Sequence, residues 1–161
     1  ANVGDSRAVL CRTVAGRKVA VELSQDHKPT KEEEVQRIEA AGRTVIDARI
    51  DGVIAVSRCI GDVFFKTNPR IPPEQQAVTA DPQILKFELE EGDDFIIIAC
   101  DGIWDCYSSQ QVVEMVSKVV EGGGALREAL EEVMRRCLAP DPKIAAGIGT
   151  DNMTAMIVKL K

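Results

Sequence analysis

Hydrophobic and polar residues alternate in the opening segment of the chain and again in its closing segment. The alternation over Ala1–Val14 resumes over Val19–Leu23 after a turn, which predicts a β-hairpin. Met153–Leu160 alternates in the same way and predicts a final strand. Phe95–Cys100 is apolar throughout, a pattern typical of a central strand that is buried on both faces.

Shorter apolar runs predict further strands, at Thr44–Ile46, Ile54–Val56, Val78–Ala80 and Ile84–Leu89. The first two of these runs flank a predicted turn at Asp51-Gly52. Residues 61–81 form a long irregular stretch that is rich in proline. A loop of that length in a compact domain is usually functional or mobile.

Helical spacing of apolar residues follows two capping-box patterns. Thr30 and Glu33 form the first pattern, which predicts a helix over Lys31–Ala41. Ser108 and Gln111 form the second, directly before a valine-rich stripe with helical spacing. Each pattern pairs a side-chain acceptor with a residue three positions later, so both predict where a helix begins.

A third helix is predicted over Leu126–Leu138, where apolar residues form one stripe and prolines follow. The predicted strands are short and follow one another in meander order, and the helices are grouped between them. This arrangement favours an α+β fold with antiparallel strands over a doubly wound parallel sheet.

Composition narrows the range of functions. The 161 residues carry 20 Lys and Arg against 26 Asp and Glu, a net charge of −6, and aromatic residues make up 4%. An acidic chain without basic runs is poorly suited to binding nucleic acid or an anionic membrane. Few aromatic side chains are present to stack on bases. No apolar run approaches the ~20 residues of a membrane-spanning helix.

The five cysteines are widely spaced and include no CxxC pair, which argues against a zinc ribbon or a thioredoxin motif. Unpaired cysteines favour a reducing compartment, and therefore a cytoplasmic or nuclear location. The chain shows no signal peptide pattern. It opens at Ala1 without an initiator Met, so we expect it to be part of a longer protein.

The clearest candidate for chemistry is Asp101, which directly follows the predicted central strand and precedes Gly102. A carboxylate at the end of a rigid strand is held in place, and a neighbouring glycine allows close approach of backbone or a hydrated ion. Such a site suits a hard cation such as Mg or Mn. The alternative is an Asp that caps the next helix, and the local pattern supports the two interpretations equally.

Other polar motifs are less specific when each is taken alone. Asp151-Asn152 before the last strand is typical of an Asx-turn, and Gly4-Asp5-Ser6-Arg7 of a β-turn. Ser57-Arg58 indicates only a turn after a strand. His27 is the single histidine and lacks the partners of a zinc site, so we interpret it as structural, and we interpret Trp104 as a core residue. The GxSxG and GxxxxGK[ST] motifs are absent.

Taken together and in order, six segments resemble the metal-dependent serine/threonine protein phosphatases of type 2C. The similarity extends from Ala1 almost to Lys161. The segments are ANVGDSRAVL, LSQDHKP, EVQRIEAAGRTV, IAVSRCIGD, FIIIACDGIWD and TDNMTAMIV.

The resemblance implies an antiparallel β-sandwich flanked by helices, a four-layer α/β/β/α architecture that is incomplete here at its N-terminal side. It implies hydrolysis of phosphoserine or phosphothreonine in phosphoproteins by water that two Mg or Mn ions activate. Residues 61–81 correspond to a flap beside the active site that influences substrate choice.

The resemblance also assigns site residues. Asp101 and Asp151 match metal ligands of the binuclear centre, and Asn152 matches a residue that orients Asp151. Asp5, with Asp105, matches positions linked to a weaker third metal beside Asp101. Clustered carboxylates repel one another unless cations neutralise them, which agrees with a metal site.

One departure from the family pattern is large. The N-terminal half of the family's domain carries a phosphate-binding Arg, a Glu near the metals and an Asp-Gly-His motif with the candidate general acid. None of these matches a segment of this chain, so we predict that residues 1–161 are the C-terminal portion of the catalytic domain and contain no catalytic acid. Alone, they should bind metal weakly and show negligible activity.

The same departure predicts unpaired sheet edges and an exposed apolar face. We therefore expect the chain to pair with the missing N-terminal half, with a second copy or with another partner. Two alternative functions remain: a phosphatase-like interaction or scaffold module without catalysis, and an unrelated phosphotransfer enzyme with Asp101 as nucleophile. The second requires a parallel sheet, which the meander pattern disfavours.

Overall fold

The computed structural model describes residues 1–160 and divides them into two compact units. The first unit combines Ala1–Asp5 with Gln25–Leu85. The second combines Ser6–Ser24 with the chain from Lys86 onward. The prediction that all 161 residues are one portion of a catalytic domain remains a prediction. No helix in the described part of the chain combines the length and the apolar character that a membrane crossing requires.

The second unit is built on a four-stranded antiparallel sheet with the order β2-β1-β5-β6. Its strands are β1 (Arg7–Val14), β2 (Arg17–Glu22), β5 (Asp93–Ala99) and β6 (Ala155–Lys159). The predicted hairpin, central strand and final strand are therefore confirmed. The prediction that the central strand is buried on both faces is wrong, because Ile98 on its second face is exposed. β5 lies between β1 and β6, as expected for the most apolar run in the chain.

Two helices cover one face of this sheet. They are α3 (Ser109–Glu121) and α4 (Leu126–Cys137), and both agree with the predicted stripes. Alternate residues of β1 and β5 point towards them, so that Val9, Phe95 and Ile97 share one buried core with the valines of α3. The capping box of α3 forms as predicted, with Ser108 as the N-cap residue.

The opposite face of the sheet is partly uncovered. Ile98, Met156 and Val158 are 43%, 58% and 40% exposed. All three lie on alternate positions to the buried core residues, and the register pairs Ile98 with Met156 across the two strands. An antiparallel sheet with helices on one face and exposed apolar side chains on the other confirms the α+β class. The four described strands account for one sheet of the implied sandwich.

The first unit has less regular structure. It contains α1 (Glu32–Ala40), the two-residue strands β3 (Val45–Ile46) and β4 (Arg49–Ile50), and two short 3₁₀ turns. A small core of apolar side chains holds it together, namely Ile38, Ile50, Phe65 and Val78.

The first predicted capping box is wrong. α1 begins one residue later than predicted, with Lys31 at the N-cap position and no side-chain cap there. The backbone N–H of Lys31 donates to the Lys28 carbonyl at 3.1 Å. This turn moves the helix boundary past Thr30, so that Glu33 no longer stands three residues after the N-cap.

Three of the short strand predictions are also wrong. β3 pairs with Arg49–Ile50, because the chain already reverses at Asp47-Ala48, and Ile54–Val56 contributes only an isolated bridge to Ile50. Val78–Ala80 and Ile84–Leu89 do not form strands. An apolar run becomes a strand only where a neighbouring backbone completes its hydrogen bonds, and here the nearby pairing is limited to single bridges.

Candidate functional site

Asp101 stands at the junction of the central strand and a very short helix. β5 ends at Ala99, and Asp101 opens α2 (Asp101–Trp104). Ile103 and Trp104 are buried in the core of the second unit. The Trp104 Nε1–H donates to the Ala99 carbonyl at 2.8 Å, so the helix is tied back to the strand that precedes it. Packing and this hydrogen bond fix the backbone that carries Asp101, and the prediction that Trp104 is a core residue is confirmed.

The segment that carries Asp151 runs beside Asp101. β5 and β6 are antiparallel with Ala99 opposite Ala155, so the end of β5 and the start of β6 meet at the same edge. Beyond the strands, the Cys100 N–H donates to the Thr154 carbonyl at 3.1 Å. The Thr154 N–H donates to the Cys100 Sγ at 3.2 Å. These contacts continue the pairing towards the two Asp residues, which lie 50 positions apart in the sequence.

Gly102 permits the closest approach between the two segments. A Cβ atom at position 102 would lie 2.2 Å from the Asn152 carbonyl oxygen, well inside van der Waals contact. Only glycine therefore fits at position 102, beside the backbone of residue 152. The close backbone approach that the sequence suggested at Gly102 is present, and the group that approaches is the chain segment of Asp151 and Asn152.

Asp151 and Asn152 are exposed at this edge. The Asn152 backbone N–H donates to Asp151 Oδ1 at 2.7 Å. This contact comes from the main chain of residue 152, and the predicted role of Asn152 in orienting Asp151 stays a prediction. Asp105 is also exposed and directly follows α2, and its backbone N–H donates to the Asp101 carbonyl at 2.7 Å.

Asp5 belongs to the first unit. Its carboxylate accepts a charge-assisted hydrogen bond from Lys28 Nζ at 2.5 Å, and its side chain is 16% exposed. Because the pair is partly buried, Lys28 compensates the charge of Asp5 within this unit. The predicted role of Asp5 at a third metal stays a prediction.

His27 is a buried residue of the first unit, in agreement with its structural interpretation. Its Nδ1 lies 3.1 Å from the Gly4 carbonyl oxygen and 3.3 Å from the Gly4 nitrogen. Burial, together with the nearby positive charge of Arg58, lowers the pKa of His27 below its ordinary value. The ring is therefore neutral at physiological pH.

A buried charge network surrounds Glu34, and no motif in the sequence predicts it. The Glu34 carboxylate is 2% exposed and accepts hydrogen bonds from Arg58 at 2.7 Å and from Ser57 Oγ at 2.5 Å. Arg37 pairs with it at 2.8 Å. Burial alone raises the pKa of Glu34, but the two guanidinium groups and the hydroxyl outweigh it and lower the pKa to about 2. Ser57 and Arg58, which the sequence marked only as a turn, anchor this network.

The donor set at the edge of the sheet suits a hard cation in part. Asp101 and Asp151 offer carboxylate oxygens, the ligand type that Mg²⁺ and Mn²⁺ prefer. Within residues 1–160, no group of three or more His, Cys, Asp or Glu side chains is arranged to hold a metal ion. The described residues therefore fit as a contribution to such a site and supply fewer ligands than a complete protein cage.

Comparisons with known proteins agree on one family. The family model described as "Protein phosphatase 2C" matches residues 1–143. The chain is 46% identical over 161 residues to "Probable protein phosphatase 2C 21" of Arabidopsis thaliana, of which it covers 44%. It is 49% identical over 160 residues to "Protein phosphatase 2C homolog 2" of Aspergillus flavus, of which it covers 36%.

A solved structure gives the same result for the fold. The chain resembles the crystal structure of a phosphatase from a pathogenic strain of Toxoplasma gondii, with a TM-score of 0.73 and 32% sequence identity. The match covers 97% of this chain and 46% of that one. This chain thus spans less than half the length of each of these three relatives.

Proposed function

The chain belongs to the protein phosphatase 2C family, and from this premise we propose that it forms part of a catalytic domain that hydrolyses phosphoserine and phosphothreonine in phosphoproteins. The observation that carries the proposal is the meeting of Asp101 with the Asp151-Asn152 segment at the end of the central strand. The family is metal-dependent, and a pair of carboxylates at a rigid edge is the feature that such chemistry needs.

In this proposal Asp101 and Asp151 hold Mg²⁺ or Mn²⁺. When bound, the ion would act as a Lewis acid that makes water a potent nucleophile at neutral pH. The chain's own contribution is positioning. Packing of α2 fixes the backbone of Asp101, and the Asn152 N–H holds one oxygen of Asp151. Because the chain carries a net charge of −6, a phosphate dianion also requires compensating positive charge at the site.

We further propose that residues 1–161 supply only one part of the site, with no catalytic acid among them. Two observations support this: the described residues contain no three-ligand group, and the chain spans 44% of the Arabidopsis relative. The remaining ligands, the phosphate-binding Arg and the general acid then lie on the N-terminal half of the same domain. The chain alone should bind metal weakly.

The exposed apolar face of the sheet supports that half as a partner. Ile98, Met156 and Val158 would become buried if a second sheet packed against them, as in an antiparallel sandwich. Nothing in this acidic chain favours nucleic acid or an anionic membrane as a partner. A reducing compartment, cytoplasmic or nuclear, fits the five free cysteines.

Phosphate release from a phosphothreonine peptide tests the function. We call a longer chain that contains residues 1–161 together with the N-terminal half of the domain the parent chain. It should release phosphate in the presence of Mn²⁺ and stop when the metal is chelated. The 161-residue chain should release none above the blank. At a limiting Mn²⁺ concentration, Asp101→Asn should strongly reduce phosphate release by the parent chain, and Asp141→Asn, a change at an exposed Asp in the loop after α4, should not.

Each contrary outcome has a definite meaning. Turnover by the 161-residue chain at the level of the parent chain would contradict the proposed division of the site. A folded parent chain that binds Mn²⁺ but releases no phosphate would instead support a non-catalytic interaction module.

A further inference from the structure

Cys106 and Cys137 lie together in the core of the second unit. Cys106 follows α2, and Cys137 is the last residue of α4. The Cys106 Sγ lies 3.4 Å from the Gly102 carbonyl oxygen and 3.7 Å from the Cys137 carbonyl oxygen. The Cys106 side chain also contributes to the raised pKa of the Cys137 thiol, in agreement with their proximity. Two residues that are 31 positions apart in the sequence thus present adjacent sulfur atoms.

The other three cysteines have different neighbours. The Cys11 Sγ contacts Ser117 and Asp94, and the Cys59 Sγ contacts Asp62. The Cys100 Sγ lies against the backbone that leads to β6. Of the contacts that the described cysteines make, the one between Cys106 and Cys137 joins two thiols and so could become a disulfide.

A cleft gives small molecules a route to this pair. It has a volume of about 280 Å³ and is lined by both cysteines together with Arg136, Ala145 and Ile148. Cys106 is partly exposed, whereas Cys137 is 4% exposed. A molecule of the size of hydrogen peroxide can therefore reach Cys106 first.

We propose that Cys106 and Cys137 form a redox-modification site at which peroxide produces a reversible disulfide. In the first step the Cys106 sulfur attacks peroxide and breaks its O–O bond, which yields a sulfenic acid and one water molecule. In the second step the Cys137 sulfur displaces hydroxide from the sulfenic sulfur, and its own proton converts that hydroxide to water. Two thiols and one peroxide thus give one disulfide and two water molecules.

The environment assigns the order of the two sulfurs. Burial, reinforced by the adjacent Cys106 thiol, raises the pKa of Cys137 to about 12, so that little thiolate is present at neutral pH. Cys137 is therefore a poor first nucleophile towards peroxide. In the second step the reaction is intramolecular. Proximity to Cys106 then raises the effective concentration of the Cys137 sulfur and offsets its low thiolate fraction.

The neighbourhood places the proposed bridge beside the candidate site. Cys106 contacts the carbonyl of Gly102, the residue after Asp101. A Cβ at Gly149 would lie 2.1 Å from the Cys137 carbonyl oxygen, so the backbone that leads to Asp151 passes directly over Cys137. A disulfide here would link the chain just after α2 to the end of α4, over which the backbone leading to Asp151 passes. Its formation can be measured whether or not the proposed phosphatase function is correct.

Mass spectrometry tests the proposal on the folded 161-residue chain. After brief treatment with hydrogen peroxide, free thiols are blocked with N-ethylmaleimide and the protein is digested without reductant. We expect a dithiothreitol-sensitive peptide that links Cys106 to Cys137 and is lighter than the two reduced peptides by two hydrogen atoms. It should form about tenfold faster in the folded chain than in urea, because contact between the thiols is lost on unfolding.

Variants separate the two roles. In Cys137→Ser the linked peptide should vanish and dimedone should trap the sulfenic acid at Cys106. Cys137→Ala should give the same result as Cys137→Ser. Cys11→Ser, a change at another buried cysteine, should still form the Cys106–Cys137 peptide. The proposal is overturned if Cys106 escapes oxidation, if wild-type Cys106 accumulates as the dimedone adduct without a link, or if the bridge joins a different cysteine.

Discussion

At the scale of single residues, the candidate site depends on Gly102, because its missing side chain lets two distant segments meet. A methyl group at position 102 would overlap the Asn152 carbonyl oxygen. Packing and strand pairing hold the backbones of both segments in place, so that neither can move away easily. The close approach of the segments that carry Asp101 and Asp151 therefore depends on a residue that carries no functional group.

Gly102→Ala should lower the free energy of unfolding by about 1–3 kcal/mol, since overpacking forces backbone to shift. Urea unfolding followed by circular dichroism measures the change. Gly123→Asn is the matched control: its position has φ of +85° and open space around the added Cβ, and Asn tolerates that backbone conformation. Equal losses for both variants would show that the close approach at Gly102 does not matter.

Glu34 predicts a pH dependence of stability. Its pKa is about 2 in the folded chain against an ordinary value of 4.5, so the stabilisation is fully present above the unfolded pKa. It is lost as the pH falls from the ordinary value towards 2, and amounts to about 3 kcal/mol. Unfolding in urea at a series of pH values measures the slope.

Glu34→Gln should remove this part of the slope, whereas Glu32→Gln, an exposed change on the same helix, should leave it in place. An unchanged pH profile in Glu34→Gln would contradict the assignment. The network could not be predicted from sequence, because Arg58 lies 24 positions from Glu34 and only the fold brings them together.

At the scale of elements, a sequence pattern predicted a strand correctly where a neighbouring strand was available to pair with it. β1, β5 and β6 have alternating or apolar patterns and also have partners on the sheet. The run at Ile84–Leu89 has a similar pattern but stays irregular, since its described backbone pairing is limited to the adjacent bridge between Gln83 and Asn2. Periodicity reports which residues can be buried, whereas strand pairing is decided by the rest of the chain.

The two capping-box patterns give a matched pair at this scale. Ser108→Ala should destabilise the chain by about 1 kcal/mol, because Ser108 caps α3 and Gln111 returns the contact. Thr30→Ala should have little effect, because Lys31 is the N-cap residue of α1. Thermal unfolding of both variants measures the difference, and a larger loss for Thr30→Ala would contradict the helix boundaries.

At the scale of the whole molecule, the uncovered sheet face bears on assembly. We expect the isolated chain to self-associate through Ile98, Met156 and Val158, because exposed apolar patches of this kind mark interaction surfaces. Sedimentation velocity over a range of concentrations should show a rising average mass. Met156→Gln combined with Val158→Thr should reduce it, and monomeric wild-type protein at high concentration would count against the expectation.

The family could be predicted from sequence, because six motifs occur in the family's order. The fold class could be predicted from the patterns of the strands and helices. The candidate site could be predicted only in part. Asp101 stands out by its position after an apolar strand, whereas Asp151 becomes its neighbour only through the pairing of β5 with β6.

The Mn²⁺ dependence of phosphate release by the parent chain tests the central claim that Asp101 and Asp151 serve one metal site. Each change to Asn should raise the Mn²⁺ concentration for half-maximal activity at least tenfold, and the double variant should fall short of the product of the two effects, since residues that share a site are not additive. If either change leaves the Mn²⁺ requirement as it is in Asp141→Asn, the two carboxylates do not share a metal site.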